Sequence, residues 1–112
     1  MKTAEAVKAL AALAQDTRLA VYRLLVQMGP DGMSAGAIAE RLDLPAATLS
    51  FHLKELANAG MAQSRQDGRF VYYSANYDRM NGLLGYLTEN CCQGVGSASG
   101  CAPRRQLRRK RA

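Results

Sequence analysis

The stretch SAGAIAERLDLPAATLSFHLKELANAG, residues 34 to 60, decides the fold of this chain. Ser34 is a good N-cap for a short helix, because its hydroxyl can accept a hydrogen bond from the first turn. A brief turn at residues 43 and 44 follows, and Pro45 fits the first turn of a longer helix that runs to about Asn58. A short helix, a tight turn and a longer helix predict a helix-turn-helix.

The apolar residues of both helices recur every three or four positions, which is the spacing of one helix face. The inward residues are Ala35, Ile38, Ala39 and Leu42 on the short helix and Leu49, Leu53 and Leu56 on the longer one. Glu40 and Arg41 point outward, and Gly60 ends the longer helix. Each helix is therefore expected to have one buried face and one outward face.

Two further helices are predicted before this motif. One apolar face of the first helix consists of Val7, Leu10, Ala11, Leu13 and Ala14. Asp16 or Thr17 can cap the second helix. Its inward residues are Leu19, Tyr22, Leu25, Val26 and Met28. The turn-forming sequence GPDG, residues 29 to 32, ends it.

After Gly60 the apolar period changes from helical to two. The runs MAQSRQ and RFVYYS flank Asp67-Gly68, and an Asp-Gly pair between such runs is a strong signal for a β-hairpin. A last helix is predicted from about Tyr77 to Asn90, with one apolar stripe: Met80, Leu83, Leu84 and Leu87. The two glycines within it, Gly82 and Gly85, cost roughly 1 kcal/mol each relative to Ala, which suggests close helix packing there.

The predicted architecture is mainly α with a small β-hairpin, in the order ααααββα, which is a winged helix-turn-helix. A chain of 112 residues is long enough for one domain and too short for two. We assign residues 1 to 92 to the folded domain. Residues 93 to 112, Gly/Ser-rich and then Arg-rich, form a tail that is expected to be flexible.

The outward face of the longer helix is suited to DNA. With Leu49 on the core side, this face holds Ala47, Thr48, Phe51, Lys54, Glu55 and Asn58, with Ser50 and His52 on its flanks. Hydroxyls can bond base edges or phosphates, an aromatic ring can contact thymine methyl groups, and a lysine suits a phosphate. We predict that six of these residues contact DNA: Ala47, Thr48, Ser50, Phe51, His52 and Lys54.

The hairpin adds a second candidate element for the same partner. Arg65 and Arg69 flank its tip, where either side chain could reach a backbone phosphate or a narrow minor groove. The alternatives are an ordinary solvated helix face, a packed histidine at His52 and basic wing charges of little value. An outward Phe51 in a monomeric domain needs a reason, which favours DNA contact.

A homodimer is predicted because a domain this small leaves the apolar faces of its first and last helices exposed. The predicted interface residues are Val7, Leu10, Met80, Leu83, Leu84 and Leu87. Two-fold symmetry would place two recognition helices in successive major grooves, about 34 Å apart. The expected binding site is an inverted repeat in double-stranded DNA.

Net charge adds little to this argument. The formal charge of +6 comes entirely from the six basic residues after position 103, since residues 1 to 102 hold nine basic and nine acidic side chains. The basic end could add sequence-independent affinity for DNA, or it could be a solvated terminus. The first twenty residues lack an apolar stretch of signal or membrane-span length, so we expect a cytoplasmic protein without a membrane partner.

Three segments closely resemble the arsenic- and metal-responsive ArsR/SmtB-type repressors: TRLAVYRLL (17–25), LPAATLSFHLKELANAGM (44–61) and GRFVYYS (68–74). The resemblance covers roughly residues 5 to 92, and the S-x-H-L-x-x-L-x-x-A-G run is a fairly specific marker. It implies a homodimer formed through the first and last helices, operator binding in the empty state, and release of DNA when an inducer binds.

Two inducer sites of that family are missing from this sequence. The best-known arsenic-sensing members carry thiolates on the third helix, but the matching positions here are Ser34, Gly36 and Ala39. Zinc-sensing members use histidines and carboxylates on the last helix, which here offers Asp78 and Glu89 and no histidine.

All three cysteines, Cys91, Cys92 and Cys101, lie within eleven positions. They look like a second family arrangement, in which a vicinal pair ends the last helix and a third cysteine lies about ten residues on. Three thiolates without imidazole or carboxylate select a soft ion, and three-coordination suits As(III) or Sb(III). Adjacent cysteines cannot point the same way on a regular helix, so the helix is expected to end or unwind at the pair.

We therefore expect an As(III)- or Sb(III)-responsive repressor with no organic cofactor. Ligation would tie the tail across the end of the last helix and change the placement of the two recognition helices. A thiol-based redox sensor, surface thiols without function, and a soft-metal binding protein that does not bind DNA are the alternatives. An enzyme is not expected, because the chain has one histidine, no paired carboxylates and no Gly-rich phosphate cradle.

Overall fold

A computed structural model describes residues 1–94, and in this part of the chain it confirms the winged helix-turn-helix. The elements are α1 (Thr3–Leu13), α2 (Asp16–Met28), β1 (Met33–Ser34), α3 (Ala35–Leu42), α4 (Ala46–Asn58), β2 (Ala62–Asp67), β3 (Phe70–Ala75) and α5 (Tyr77–Thr88). The strand β1 was not predicted, because two residues are too few to show a period. No helix of residues 1–94 is long and apolar enough to cross a membrane.

The sheet is antiparallel, with strand order β1-β3-β2. The long pairing runs from Ala62 opposite Ala75 to Asp67 opposite Phe70, and β1 pairs through Met33 opposite Tyr73. The two turn residues are therefore Gly68 and Arg69, one position later than the predicted Asp67-Gly68. Glycine at the first turn position, with φ 63°, suits a two-residue hairpin.

The core lies where α2, α3 and α4 meet. Its largest fully buried side chains are Val21, Leu25, Ile38, Leu49, Leu53, Leu56 and Met61. The inward stripes of α3 and α4 are confirmed, but the stripe of α2 was partly wrong. Leu19 is 42% exposed and Met28, the last residue of α2, is 39% exposed, while Val21 and Leu24 are buried instead.

The first helix packs through small residues rather than through its larger ones. Ala6, Ala9 and Ala12 are buried, whereas Val7 is 59% exposed and Leu10 is 41% exposed. Val7 and Leu10 of the expected apolar face therefore lie outside the core of the protomer, whereas Leu13 packs against it. Alanines on the inner face let the backbone of α1 lie close to its neighbours, and the larger residues remain on the surface.

The helix ends mostly follow the sequence signals. The Ser34 hydroxyl accepts a hydrogen bond from the Ala37 N–H at 3.2 Å, as an N-cap does. Helix α4 ends at Asn58, and Gly60 follows its cap with a φ of +79° that glycine readily adopts. The cap of α2 is Gln15, which accepts a hydrogen bond from the Arg18 N–H at 2.7 Å, rather than Asp16 or Thr17.

Candidate nucleic-acid interface and thiol pair

The outward face of α4 is exposed as the sequence suggested. Its inner stripe is fixed in the core, which leaves five of the six candidate DNA contacts at the surface: Ala47, Thr48, Ser50, Phe51 and Lys54. The aromatic ring of Phe51 is 54% exposed, which is unusual for so large an apolar side chain. The face combines hydroxyls, an apolar ring and a cation, which suits the groove of a duplex.

The sixth candidate, His52, is buried and only 7% exposed. Arg18 Nε donates a hydrogen bond to His52 Nδ1 at 3.3 Å. Burial, and secondarily the charge of Arg18, lower the pKa of His52 below its usual value. His52 is therefore a packed residue, and the prediction that it contacts DNA is revised.

Arg18 is the residue that sequence reasoning missed. It lies in the first turn of α2, 34 positions before His52, and its Nη1 also donates to the carbonyl oxygen of Ala12 at 3.4 Å. Its guanidinium carbon lies 5.6 Å from the centre of the Phe51 ring. Phe51 and His52 meet edge to face, with ring centres 5.5 Å apart. No local pattern in the sequence indicates these contacts.

The two predicted wing arginines have different surroundings. Arg65 donates from Nη2 to the carbonyl oxygen of Asp31 at 3.1 Å and lies 4.7 Å from the centre of the Tyr72 ring. Arg69 is exposed at the turn. Phe70, which the sequence analysis did not single out, is 60% exposed beside it. The tip of the wing therefore presents a cation and an aromatic ring.

The apolar residues of α1 and α5 divide into two groups. Val7, Leu10, Leu84 and Leu87 are exposed, by 59%, 41%, 54% and 55%. Leu83 is 5% exposed and belongs to the protomer's own core, and Met80 is partly buried against that core. We therefore remove Leu83 from the predicted dimer interface, because it has little surface left for a partner.

Helices α1 and α5 are joined at the surface of the protomer. The hydroxyls of Thr3 and Tyr86 are 2.5 Å apart, and Arg79 Nη1 lies 3.4 Å from Glu5 Oε2. The Lys2 N–H donates to Glu5 Oε1, and this bond, helped by Arg79, lowers the pKa of Glu5. The four exposed apolar residues are thus carried by two helices in contact.

The two described cysteines lie just beyond the last helix. Helix α5 ends at Thr88, and positive φ values at Asn90 (62°) and Cys92 (67°) show that the chain leaves helical geometry there. The sulfur atoms of Cys91 and Cys92 are 3.2 Å apart. The expected unwinding at the pair is confirmed.

Cys101 lies outside the described residues, as does the basic end of the tail. Within residues 1–94 no three His, Cys, Asp or Glu side chains come together as metal ligands. The third ligand that the sequence analysis predicts, Cys101, belongs to the tail.

Comparison with known proteins places this architecture in a family. A family model described as a helix-turn-helix domain matches residues 13–65. The HTH-type transcriptional regulator YceK of Bacillus subtilis (strain 168) is 35% identical over 77 residues, covering 68% of this chain and 76% of that protein.

Two further similar proteins are also transcriptional regulators. The arsenical resistance operon repressor of Bacillus subtilis (strain 168) is 33% identical, covering 72% of this chain and 73% of that protein. An ArsR-like transcriptional regulator from Rhodococcus sp. RHA1 superimposes with a TM-score of 0.67 at 28% identity, covering 75% of this chain and 76% of that one. With its helix-turn-helix, wing and closing helix, the chain belongs to the ArsR/SmtB-type family of winged-helix transcriptional regulators.

Proposed function

We propose that this chain is a homodimeric repressor that binds an inverted-repeat operator and leaves it when As(III) or Sb(III) binds Cys91, Cys92 and Cys101. The observation that carries the proposal is the pair of sulfurs 3.2 Å apart at the unwound end of α5. That pair belongs to a chain whose relatives include an arsenical resistance operon repressor.

The exposed face of α4 supports operator recognition. Thr48 and Ser50 offer hydroxyls to base edges or phosphates, and Phe51 offers an apolar surface for thymine methyl groups. Lys54 and the wing residue Arg69 offer charge for phosphates. Recognition helix and wing together give the domain base-reading and backbone-binding groups.

The exposed residues of α1 and α5 support the homodimer. Four large apolar side chains at the surface of two joined helices need cover from water, and a second copy can supply it symmetrically. The interface residues that we retain are Val7, Leu10, Leu84 and Leu87, with Met80 contributing from a partly buried position.

The chemistry of the donor set supports a soft metalloid. Two sulfurs 3.2 Å apart can bind one ion, because two metal–sulfur bonds of about 2.3 Å span up to about 4.6 Å. Cys101 would supply the third thiolate, and the short Gly/Ser-rich segment before it makes closure of the loop inexpensive. The cysteines bind the metalloid as thiolates, so they must be in the reduced state.

Ligation would act on DNA through the end of α5. The thiol pair follows directly after a helix that carries two of the proposed interface residues, Leu84 and Leu87. Closing the tail on that end would change the packing of the interface and hence the spacing of the two α4 helices. A coupling of about 1–3 kcal/mol would weaken operator binding roughly 5- to 150-fold.

The test is fluorescence anisotropy of the reduced protein on a labelled duplex from its own upstream region, titrated separately with arsenite, zinc and peroxide. We expect arsenite alone to release the DNA. Cys91→Ser, Cys92→Ser and Cys101→Ser should each bind the duplex like the wild type and stay bound in arsenite. Release of all three serine variants by arsenite would contradict the proposed site.

A thiol-based redox sensor is the second candidate function, because the sulfur atoms of Cys91 and Cys92 lie 3.2 Å apart at an exposed position. In that case the oxidised and reduced proteins would differ in affinity for the duplex without any metalloid. Peroxide would release the DNA, a reductant would restore binding, and arsenite would release no more DNA than zinc does.

A further inference from the structure

The contacts of Arg18 extend beyond the DNA-reading face of α4. Its guanidinium reaches three groups on two other helices: the Ala12 carbonyl oxygen at the end of α1, His52 Nδ1 and the Phe51 ring. We infer that Arg18, through neutral His52, is a positioning residue that fixes the Phe51 ring for contact with DNA. This inference rests on the proposed DNA binding by α4.

Hydrogen-bond chemistry fixes the protonation of this cluster. An arginine side chain has donors and no acceptor, so the His52 nitrogen that faces it must present a lone pair. His52 is therefore neutral, with its proton on Nε2. The two acceptors, on α1 and α4, leave the guanidinium plane available for the aromatic ring of Phe51.

The position of Phe51 explains why a brace would matter. A ring that is 54% exposed has few protein neighbours to select its rotamer. The Phe51 ring meets the His52 ring edge to face and lies beside the Arg18 guanidinium. A ring held in one orientation loses less conformational entropy when it meets a base than a freely rotating ring. Arg18 and His52 would thus raise affinity without touching DNA.

Protonation of His52 distinguishes this role from simple packing. A proton on Nδ1 would remove the acceptor for Arg18 and place two cations together. The charged groups around Arg18 itself are Lys8 from α1 and Glu55 from α4, which line one small cleft together with Arg18. Burial and Arg18 both lower the pKa of His52, in agreement with a neutral ring. DNA affinity should therefore fall as acid protonates His52.

The first measurement needs no variant, because His52 is the only histidine of the chain. Nitrogen NMR of the imidazole in the tag-free protein reports its tautomer directly. We expect the proton on Nε2 near neutral pH. A proton on Nδ1 would overturn the inference.

The second measurement is the anisotropy titration on the same upstream duplex, repeated from about pH 7.5 down to about pH 5.5 at constant ionic strength. Wild-type affinity should fall about five- to tenfold, the size expected for the loss of one hydrogen bond. His52→Asn keeps an acceptor near the Nδ1 position and does not titrate, so its affinity should stay nearly constant. His52→Gln carries its amide too far out and should bind weakly throughout.

Arg18→Gln should weaken binding about five- to tenfold at neutral pH and remove most of the pH dependence. Circular dichroism at each pH checks that every protein is folded. Two results would overturn the inference while leaving the repressor proposal intact. One is a wild-type affinity that changes no more with pH than that of His52→Asn. The other is an Arg18→Gln variant that binds DNA as tightly as the wild type. If the wild type does not bind the duplex near pH 7.5, the proposed function itself fails. The positioning role of Arg18 then fails with it, whatever tautomer the NMR measurement finds.

Discussion

Arg65 Nη2 donates a hydrogen bond to the carbonyl oxygen of Asp31, at 3.1 Å, and so fastens the wing to the loop that follows α2. The same guanidinium lies 4.7 Å from the centre of the Tyr72 ring and 3.6 Å from the Asp67 carboxylate. Arg69, by contrast, is exposed at the hairpin turn. The two arginines that the sequence treated alike therefore differ: Arg65 braces the wing, and Arg69 stays at the surface, where we predict a phosphate contact.

Salt dependence of DNA binding should separate these two roles. Arg69→Gln removes one phosphate contact from each protomer of the dimer and should reduce the slope of log K against log salt by about two. Arg65→Gln should weaken binding by loosening the wing and leave that slope nearly unchanged. Anisotropy titrations between about 50 and about 200 mM salt measure both slopes. Equal losses of slope in the two variants would refute the division of roles.

Phe51 and Leu84 form a matched pair for separating DNA binding from dimerisation, because each is 54% exposed. Phe51→Ala should weaken DNA binding roughly tenfold for each half-site, since burial of half a Phe side chain is worth about 1–1.5 kcal/mol. It should leave the dimer unchanged. Leu84→Ala should raise the dimer dissociation constant in sedimentation equilibrium and weaken DNA binding only through loss of dimer. A reversed pattern would mean that the two faces are misassigned.

Gly85 tests whether a partner helix packs on α5. In the protomer a Cβ at Gly85 would meet nothing within 4 Å, and the same holds for Gly36 on α3. On helix propensity alone, Ala at either position should stabilise the fold by up to about 1 kcal/mol. We expect this for Gly36→Ala. Gly85→Ala should instead weaken the dimer about tenfold, because an added methyl group overpacks a close helix contact.

Sedimentation equilibrium and thermal melts of both glycine variants check this prediction. An unchanged dimer constant for Gly85→Ala would place the partner elsewhere on α5. It would also remove the argument for close helix packing that the two glycines of this helix offered.

Gly32 should be far less tolerant of substitution than Gly68. Both have positive φ, but a Cβ at Gly32 would lie 2.1 Å from the backbone oxygen of Tyr73, whereas nothing lies within 4 Å at Gly68. Gly68→Ala should cost only the left-handed backbone strain, about 1–2 kcal/mol. Gly32→Ala must also displace β3 and should cost more than about 3 kcal/mol in urea unfolding. Similar costs would show that β3 can move aside freely.

The fold could be predicted from local signals, because helix caps, apolar periodicity and turn residues each depend on a few neighbouring residues. Ser34, Pro45 and Gly60 mark helix ends where the structure has them. Periodicity was less reliable wherever a helix is apolar on two sides. In α1 the larger Val7 and Leu10 are exposed, as expected for a face left open to a partner, but the buried stripe of alanines that faces the core was not predicted.

The site was predictable only in part, for a similar reason. Spacing put Ser50, Phe51 and Lys54 at the surface correctly, since a helix wheel depends on α4 alone. The burial of His52 depends on Arg18, which comes from a different helix and has no fixed distance along the chain. The brace between Arg65 and the Asp31 carbonyl is likewise a tertiary contact that no short pattern encodes.

The stability of the domain should depend on the protonation of His52. The folded state lowers the pKa of this histidine below its usual value of 6.5. Burial is the larger cause, and the charge of Arg18 is the smaller one. A lowered pKa means that the unfolded chain binds the proton more readily. The contribution of neutral His52 to the free energy of unfolding is therefore complete above about pH 6.5. It is lost as the pH falls toward the lower pKa of the folded state.

Urea unfolding at several values from about pH 7.5 to about pH 5.5 should show the wild-type free energy of unfolding falling with acid. His52→Asn should show a smaller fall over the same window, because no other histidine is present and its amide does not titrate. The fall in the free energy of unfolding of Arg18→Gln should lie between those of the wild type and His52→Asn. Burial of the His52 ring remains in this variant after the neighbouring charge is removed. Parallel curves for wild type and His52→Asn would mean that protonation of His52 does not perturb the folded state, and that acid acts through other groups.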